Sequence, residues 1–260
     1  MVHSNNRYYV LREANDVSEL EALLQHRYLS FKESRYGQMV EDNDHGLDID
    51  GYDLQSRHFG LFEHSGKSTR IVGYVRFVQD RVGPQMKEVW QLSLRYPDLI
   101  QNMEFDIKKP FPSMVHLEDN SAFLKAYKKY GKIIEASRLT IHPSVRTLSL
   151  ASFVIQSITA ISSYDPNIHA SLFGCKLSHL SYYKRLGCRA IGKTSYKGVP
   201  TYLLINSFEH FSDEFKVTVD RIGRAFDKYG EVHYYPKRAG VFSPLLSYIN
   251  TGDTIRSHSA

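Results

Sequence analysis

The apolar residues of this 260-residue chain change period several times, and the order of the changes limits the fold more than any other feature. Arg7 to Arg12 is a β-branched and aromatic run suited to a short strand. Leu20, Leu23, Leu24, Tyr28 and Phe31 then recur at helical spacing, so Val17 to Ser34 reads as an amphipathic helix that Asp16 or Ser18 can cap. His58 to Glu63 and Arg70 to Gln79 read as a hairpin turned at Ser65, Gly66 and Lys67. Lys132 to Ile141 is a strand. Ser144 to Ser163 is a helix with a stripe at Leu148, Ala151, Ile155, Ile158 and Ile161, and His169 to Gly174 is again a strand. Leu177 to Leu186 is a helix stopped by Gly187. Arg189 to Lys193 and Pro200 to Ile205 are strands joined through Lys197 and Gly198, and Phe208 to Tyr229 is a last amphipathic helix. Val82 to Tyr130 fits no single period. It carries Pro84, Pro97, Pro110 and Pro112 and short helical patches such as Asn120 to Lys129, and it reads as an insertion over one side of the core. The order is β-α-β-β, an insertion, then β-α-β-α-β-β-α. That is an α/β domain on a sheet of mixed direction, spanning 1–206 with the insertion at about 82–130. Residues 207–260 add a helix and a tail packed on the same domain, with the last ten expected to fray.

Composition narrows the class. With 42% hydrophobic and 23% charged residues, the chain is neither disordered, collagenous nor a coiled coil. Cys175 and Cys188 cannot make a disulfide scaffold and have no zinc-ligand spacing beside them, so they read as reduced, buried thiols. No run approaches the roughly 18 apolar residues of a membrane span. The opening MVHSNNRYYV has no apolar core of a signal peptide, so a cytoplasmic protein is expected. Peripheral contact with a membrane surface stays open.

The net charge of +5 is unevenly laid out. Gly37 to Ser56 holds no Lys or Arg but six acids, Glu41, Asp42, Asp44, Asp48, Asp50 and Asp53. The remaining 22 acids face all 33 bases, many of them clustered: Lys108 and Lys109; Lys125, Lys128, Lys129 and Lys132; Lys184, Arg185 and Arg189. Such a surface favours an anionic partner. No nucleic-acid module signature is present, which leaves a phosphorylated cofactor, an acidic carrier protein or an anionic bilayer.

Three segments carry chemistry together. They are Asp48-Ile-Asp50-Gly-Tyr-Asp53 followed by His58; Gly73-Tyr-Val-Arg76; and Glu135-Ala-Ser-Arg138 followed by the stretch from Arg146 to Ala151. The acid loop lacks the glycine and closing Glu of a calcium loop. Its carboxylates either hold a substrate ammonium or pair with Arg27 and Arg76 to pin the loop. His58 is either a general base or structural. Glu135 lies in a strand among apolar neighbours. Burial would raise its pKa and let it take a proton from an amine, unless it serves as an ion pair with Arg138 or Arg76. Arg146, Thr147, Leu148, Ser149 and Ala151 open a helix right after a strand, where backbone N–H groups can bind phosphate, or where a plain core helix is capped.

The order of these motifs resembles the acyl-homoserine-lactone synthases, the N-acyl amino acid synthases and the ornithine-lipid N-acyltransferases, branches of the GNAT acyltransferase superfamily. The resemblance covers roughly 20–80 and 130–206. Its parts are Arg27 and Phe31 in the first helix, the loop acids Asp48, Asp50 and Asp53, Gly73 with Arg76, and Glu135 with Arg138. Asp48 stands where lactone synthases usually carry Glu, and Tyr36 lies near their usual Trp. His58 and Leu172-Phe-Gly-Cys175 look more like the lipid and amino acid acylating branches. The resemblance implies a twisted mixed sheet splayed in the middle and flanked by helices. It implies an N-acyltransferase that moves a long-chain acyl group from an acyl carrier protein's phosphopantetheine thioester, or from acyl-CoA, to the amine of a small acceptor such as an amino acid. No permanently bound cofactor or metal is expected. Arg146 to Ala151 fall on the donor-binding positions, with Ser149 replacing a glycine. Tyr183, four residues before Gly187, falls where a tyrosine protonates the leaving thiolate, although it also suits an aromatic core. The insertion and the last helix are expected to widen the acyl pocket. Other readings are a lactone synthase, a CoA-dependent short-chain acetyltransferase, and a catalytically silent GNAT-like binding module.

Overall fold

A computed structural model of the chain describes residues 7–99, 109–115, 117, 119–196 and 198–236. The expected tail from 237 onward, the middle of the insertion at 100–108 and the turn residue Lys197 lie outside the described residues.

The strands are β1 (Tyr8–Glu13), β2 (Ser56–Ser65), β3 (Ser68–Val78), β4 (Ile133–Ile141), β5 (Ala170–Cys175), β6 (Arg189–Tyr196), β7 (Val199–Ser207) and β8 (Glu231–Tyr234). They form one sheet in the order β6-β7-β5-β4-β3-β2-β1-β8. β4 and β5 pair parallel and every other neighbouring pair is antiparallel. The parallel pair needs a crossover, which α5 (Leu148–Tyr164) supplies.

Helices cover both faces. On one face lie α1 (Val17–Lys32), α2 (Met86–Arg95), α3 (Pro112–Val115) and α4 (Ser121–Tyr130), packed on Phe62, Tyr74, Val78 and Leu172. On the other lie α5, α6 (Leu177–Arg185) and α7 (Asp213–Tyr229), packed on Phe59, Phe77, Ile134 and Leu204. The insertion therefore supplies three of the four helices of one layer. Asp16, rather than Ser18, caps α1, its carboxylate accepting from the Glu19 N–H at 2.9 Å.

Three expectations are corrected. α5 starts at Leu148 and not at Ser144, because Pro143 to Val145 form a 3₁₀ turn and Thr147 is the cap, accepting from the Leu150 N–H at 3.1 Å. Leu148 is consequently 73% exposed and is no part of the core stripe, which is carried by Leu150, Phe153, Val154, Ile158 and Ile161. Ser212 caps α7 and Gly230, at φ 72°, ends it. That helix packs on α5 and delivers the edge strand β8, which the sequence reading lacks, so it does not widen the pocket.

Two features of the sheet open a cleft. β4 and β5 are paired only from Ile133–Ala136 to Ala170–Phe173, and beyond Ala136 the facing edge of β4 has no strand partner among the described residues. β4 also bulges. Between Arg76 and Tyr74 of β3 it fits Ser137 to Thr140, one residue more than its partner. Arg138 absorbs the bulge at φ 57°, the one positive φ among the described non-glycine residues. Such a conformation costs about 1–3 kcal/mol and persists where the surroundings fix it.

Candidate active site

A knot of buried charge lies under the cleft. Arg27 of α1 is fully buried and grips Asp53 with both terminal nitrogens, each at 2.9 Å. It also donates to the Asp48 carbonyl and to Tyr74 Oη, and its Nε lies 2.7 Å from Asp48 Oδ2. Arg76 of β3 donates to Asp53 at 2.7 Å, to Asp50 at 2.6 Å and to Ser137 Oγ at 2.9 Å. Asp50 in turn caps the 3₁₀ turn Gly51–Gln55 by accepting from the Tyr52 N–H. Burial alone would raise the Asp53 carboxyl. The two guanidiniums outweigh it and hold that carboxyl well below the carboxylate range. Gly73 belongs to the same design, since a Cβ there would sit 2.8 Å from the Thr140 carbonyl of β4.

The knot sorts the expected site residues. Arg27, Asp53 and His58 do not line the cleft, whereas Asp48, Asp50, Arg76 and Arg138 do. His58 is buried. It accepts from Tyr74 Oη at Nδ1 (2.7 Å) and faces the Asp53 carbonyl with Nε2 (3.2 Å). Burial lowers its pKa to about 4, so it is a neutral structural link with no opening toward a substrate. Arg138 lies within 3.6 Å of both Asp48 and Asp50, donates to the Met39 carbonyl at 2.9 Å and covers the Phe31 ring. These bonds hold the strained φ and tie the acid loop to the bulge. Among the described residues no group of three or more His, Cys, Asp or Glu is arranged for a metal ion.

Glu135 stands at the fork, where β4 still pairs with β5, and lines the cleft. It is 4% exposed. Ser113, at the start of α3, donates to its Oε2 twice, from Oγ at 2.6 Å and from the backbone N–H at 3.1 Å. Burial pushes the Glu135 pKa up to about 7, opposed by the Ser113 hydrogen bonds. The carboxylates paired with Arg76 and Arg138 are those of the acid loop.

The cleft has a volume of about 1440 Å³. At its mouth stands the N-terminus of α5. The first N–H groups of a helix have no intrahelical partner. Leu150 N–H is taken by Thr147 Oγ1, which leaves those of Leu148 and Ser149. Arg146, Leu148 and Ala151 line the cleft; Thr147 and Ser149 do not. Arg146 folds its Nε and one Nη onto the Ile141 carbonyl, at 3.0 and 2.6 Å, so its charge stays beside the helix end. Tyr183 also lines the cleft, packed on Phe173 and Tyr182 at ring distances of 4.7 and 5.5 Å, and burial pushes its hydroxyl well above its ordinary pKa. Lys176 Nζ sits 3.3 Å from the centre of the Tyr36 ring and so bridges the cleft's two sides.

Sequence patterns alone do not single out Ser113, Ser137 or Tyr74 as site residues. Ser137 does lie inside the Glu135–Arg138 motif and Tyr74 inside Gly73–Arg76, so the motifs mark their neighbourhood. Ser113 follows Pro110 and Pro112 in an aperiodic stretch and gives no signal.

A mixed sheet split between its parallel strands, with a helix N-terminus at the mouth and a buried carboxyl at the fork, is the architecture of an acyltransferase. Residues 26–156, half of the chain, match the acetyltransferase (GNAT) domain family, and the chain belongs to that family. No curated protein sequence matches it. Similar solved structures include the AHL synthase LasI (17% identity, 84% of this chain and 96% of that one, TM-score 0.48). Another is a CoA-dependent acyl-homoserine lactone synthase, BjaI, solved with SAM and isopentyl-CoA (17%, 78% and 82%, 0.47). A third is FeeM, an N-acyl amino acid synthase from uncultured soil microbes (12%, 81% and 94%, 0.44).

Proposed function

We propose that this acyltransferase moves a long-chain acyl group from the thioester of an acyl carrier protein to the amine of a small acceptor such as an amino acid. The observation that carries the reading is Glu135, a buried carboxyl at the fork with a pKa near neutrality. Its proton affinity suits proton transfer from an amine at pH 7.

The chemistry follows from the placement. Glu135 takes a proton from the acceptor ammonium, directly or through water. The freed nitrogen attacks the thioester carbonyl carbon, the C–N bond forms, the nitrogen's second proton passes to solvent, and the tetrahedral intermediate collapses with cleavage of C–S, after which Glu135 releases its own proton to solvent. Tyr183 gives its proton to the departing thiolate and regains one from solvent. The Leu148 N–H group with Arg146 holds the donor's phosphate, and the edge of β4 beyond Ala136 offers backbone groups to the pantetheine arm. Asp48 and Asp50, both at the cleft, face the acceptor's ammonium. Arg27, Asp53 and His58 hold that loop in place. A volume of about 1440 Å³ exceeds the roughly 300–1,000 Å³ of ordinary small-molecule sites and suits an acyl chain, its pantetheine and an acceptor together. The eleven-charge basic surplus outside the acid loop suits an acidic carrier. No helix of the described residues is long and apolar enough to cross a membrane, and the reading implies a cytoplasmic protein.

The test is incubation of the purified chain with acyl-carrier and acyl-CoA donors and a panel of amino acids, followed by mass spectrometry. An amide of acyl group and amino acid, formed together with free thiol, is expected. Thioesters left intact with every acceptor would leave a binding module, and a lactone product would identify a lactone synthase.

A further inference from the structure

The cleft continues below its fork, between α5 and the sheet, and that limb changes character along its length. Its upper wall is apolar, made by Ala151, Ile155 and Ile158 of α5. Its floor is polar. Ser171 of β5 and Asn206 of β7 are cross-strand partners, Thr159 of α5 lines the same cavity, and these three are 5%, 2% and 8% exposed. None of the three side chains has a hydrogen-bond partner among the described residues, and Asn206 Oδ1 is fully buried without one. A buried amide with no partner is costly, and native proteins nearly always satisfy such groups. Here the amide faces a cavity large enough for a ligand.

We propose that this floor is a specificity site, in which Asn206, Ser171 and Thr159 receive an oxygen-bearing substituent on the far part of the acyl chain. The inference rests on the acyltransferase reading, which places the thioester carbonyl at the fork. Ser171 lies two strand positions below Phe173, the last paired residue of the fork, and thus roughly 7 Å deeper. A substituent held there is several carbons from the carbonyl. Asn206 offers both donor and acceptor, and Ser171 and Thr159 each offer a hydroxyl, so a hydroxyl or keto oxygen can be matched by either type of partner. A plain hydrocarbon would bury the same groups unpaired, and sites of this kind reject the analogue that lacks the polar group.

The experiment compares donors of equal chain length with no substituent, a hydroxyl at C3, or a hydroxyl farther along the chain, and measures kcat/KM for each. The corresponding free fatty acids are titrated separately by thermal shift, a readout that needs no turnover. The distal hydroxyl should be favoured at least ten-fold in both. Asn206→Leu should invert the order by impairing the distally hydroxylated chain and improving the plain one, and Ser171→Ala with Thr159→Val should flatten it. A purely structural role for Asn206 would lower all donors together. Preference for the plain or C3-substituted chain, or an Asn206→Leu enzyme with unchanged selectivity, overturns the proposal while leaving the acyltransferase reading intact. Absence of transfer from every donor removes both.

Discussion

Ser113 gives Glu135 two hydrogen bonds to one carboxylate oxygen, 2.6 Å from its hydroxyl and 3.1 Å from its backbone N–H, although Ser113 belongs to the aperiodic insertion and Glu135 to β4. Both bonds favour the charged carboxylate and oppose burial, which pushes the pKa up to about 7. A base must be ionised to act, so kcat/KM should rise with pH through a midpoint near 7. Ser113→Ala removes one donor. Hydrogen bonds to charged groups contribute about 1.5–3 kcal/mol, equivalent to about one to two pH units. The midpoint in a pH–rate profile should therefore move up by that amount. A midpoint that stays put or falls excludes Glu135 as the titrating base.

Glu135→Gln separates base from scaffold by two opposite responses. The single-turnover rate at pH 7 should drop by about 10²–10⁴-fold, the usual contribution of a general base. Stability should move the other way. The folded pKa of about 7 lies above the ordinary 4.5, so the native protein holds this proton more tightly than the unfolded chain does. That stabilisation is complete below about 4.5 and is lost as pH rises to about 7, a change on the order of 3 kcal/mol. The Gln variant never charges. It should melt close to wild type at pH 5 and above wild type at pH 8. A variant that melts lower at pH 8 and keeps the wild-type rate per folded molecule would mark Glu135 as a structural partner.

Asp53 is the shared anion of two buried arginines, and removing its charge takes one carboxylate partner from each, leaving Arg27 with Asp48 and Arg76 with Asp50. Breaking a buried pair from one side costs about 3–5 kcal/mol. Asp53→Asn should show that loss in urea unfolding, and Arg27→Met a similar one. The double replacement should cost less than the sum, because the Arg27–Asp53 pair is lost only once. Since the Asp53 pKa is depressed below 3.8, its contribution is present above that pH and fades only as pH falls through its folded value. The loss should therefore be constant from pH 5 to 8. Additive losses would show that the knot is not one cooperative unit.

The difference between what was readable and what was not follows from the physics of each residue. Strands and helices with long apolar periods, such as Val17 to Ser34 and Arg70 to Gln79, announce themselves because burial of one face repeats along the chain. Glu135, Arg76 and the acid loop stand out as charges inside or beside such runs. Which of them reach the cleft depends on side-chain direction across α1, β2 and β3, which no local pattern encodes. Arg27, Asp53 and His58 thus look as functional in sequence as Asp48 and Asp50. β8 is only four residues long and follows a helix, too short for a period. Asn206 follows the apolar run Leu203-Leu204-Ile205 and precedes Ser207 at the end of β7, where polar residues read as a strand running out into solvent, yet helices cover both faces of this sheet and the residue is buried.

Donor choice gives the last test. Lys184 and Arg189 flank the end of α6, are exposed and do not line the cleft, so they can meet a macromolecular donor without touching its acyl chain. Complementary charge accelerates encounter and is screened over about 8 Å at physiological ionic strength. Acyl-carrier donors should therefore show a higher kcat/KM than matched acyl-CoA at low salt, with the advantage shrinking as salt is raised. Lys184→Glu combined with Arg189→Glu should lower kcat/KM for the carrier donor by about ten-fold, about 1.4 kcal/mol, and change that for acyl-CoA far less, since the smaller donor needs only the α5 end and Arg146. Stopped-flow or steady-state rates at two salt concentrations measure both effects. Equal losses for the two donors would place these bases at the phosphate site instead, and a salt-independent preference for acyl-CoA would rule out the carrier as donor.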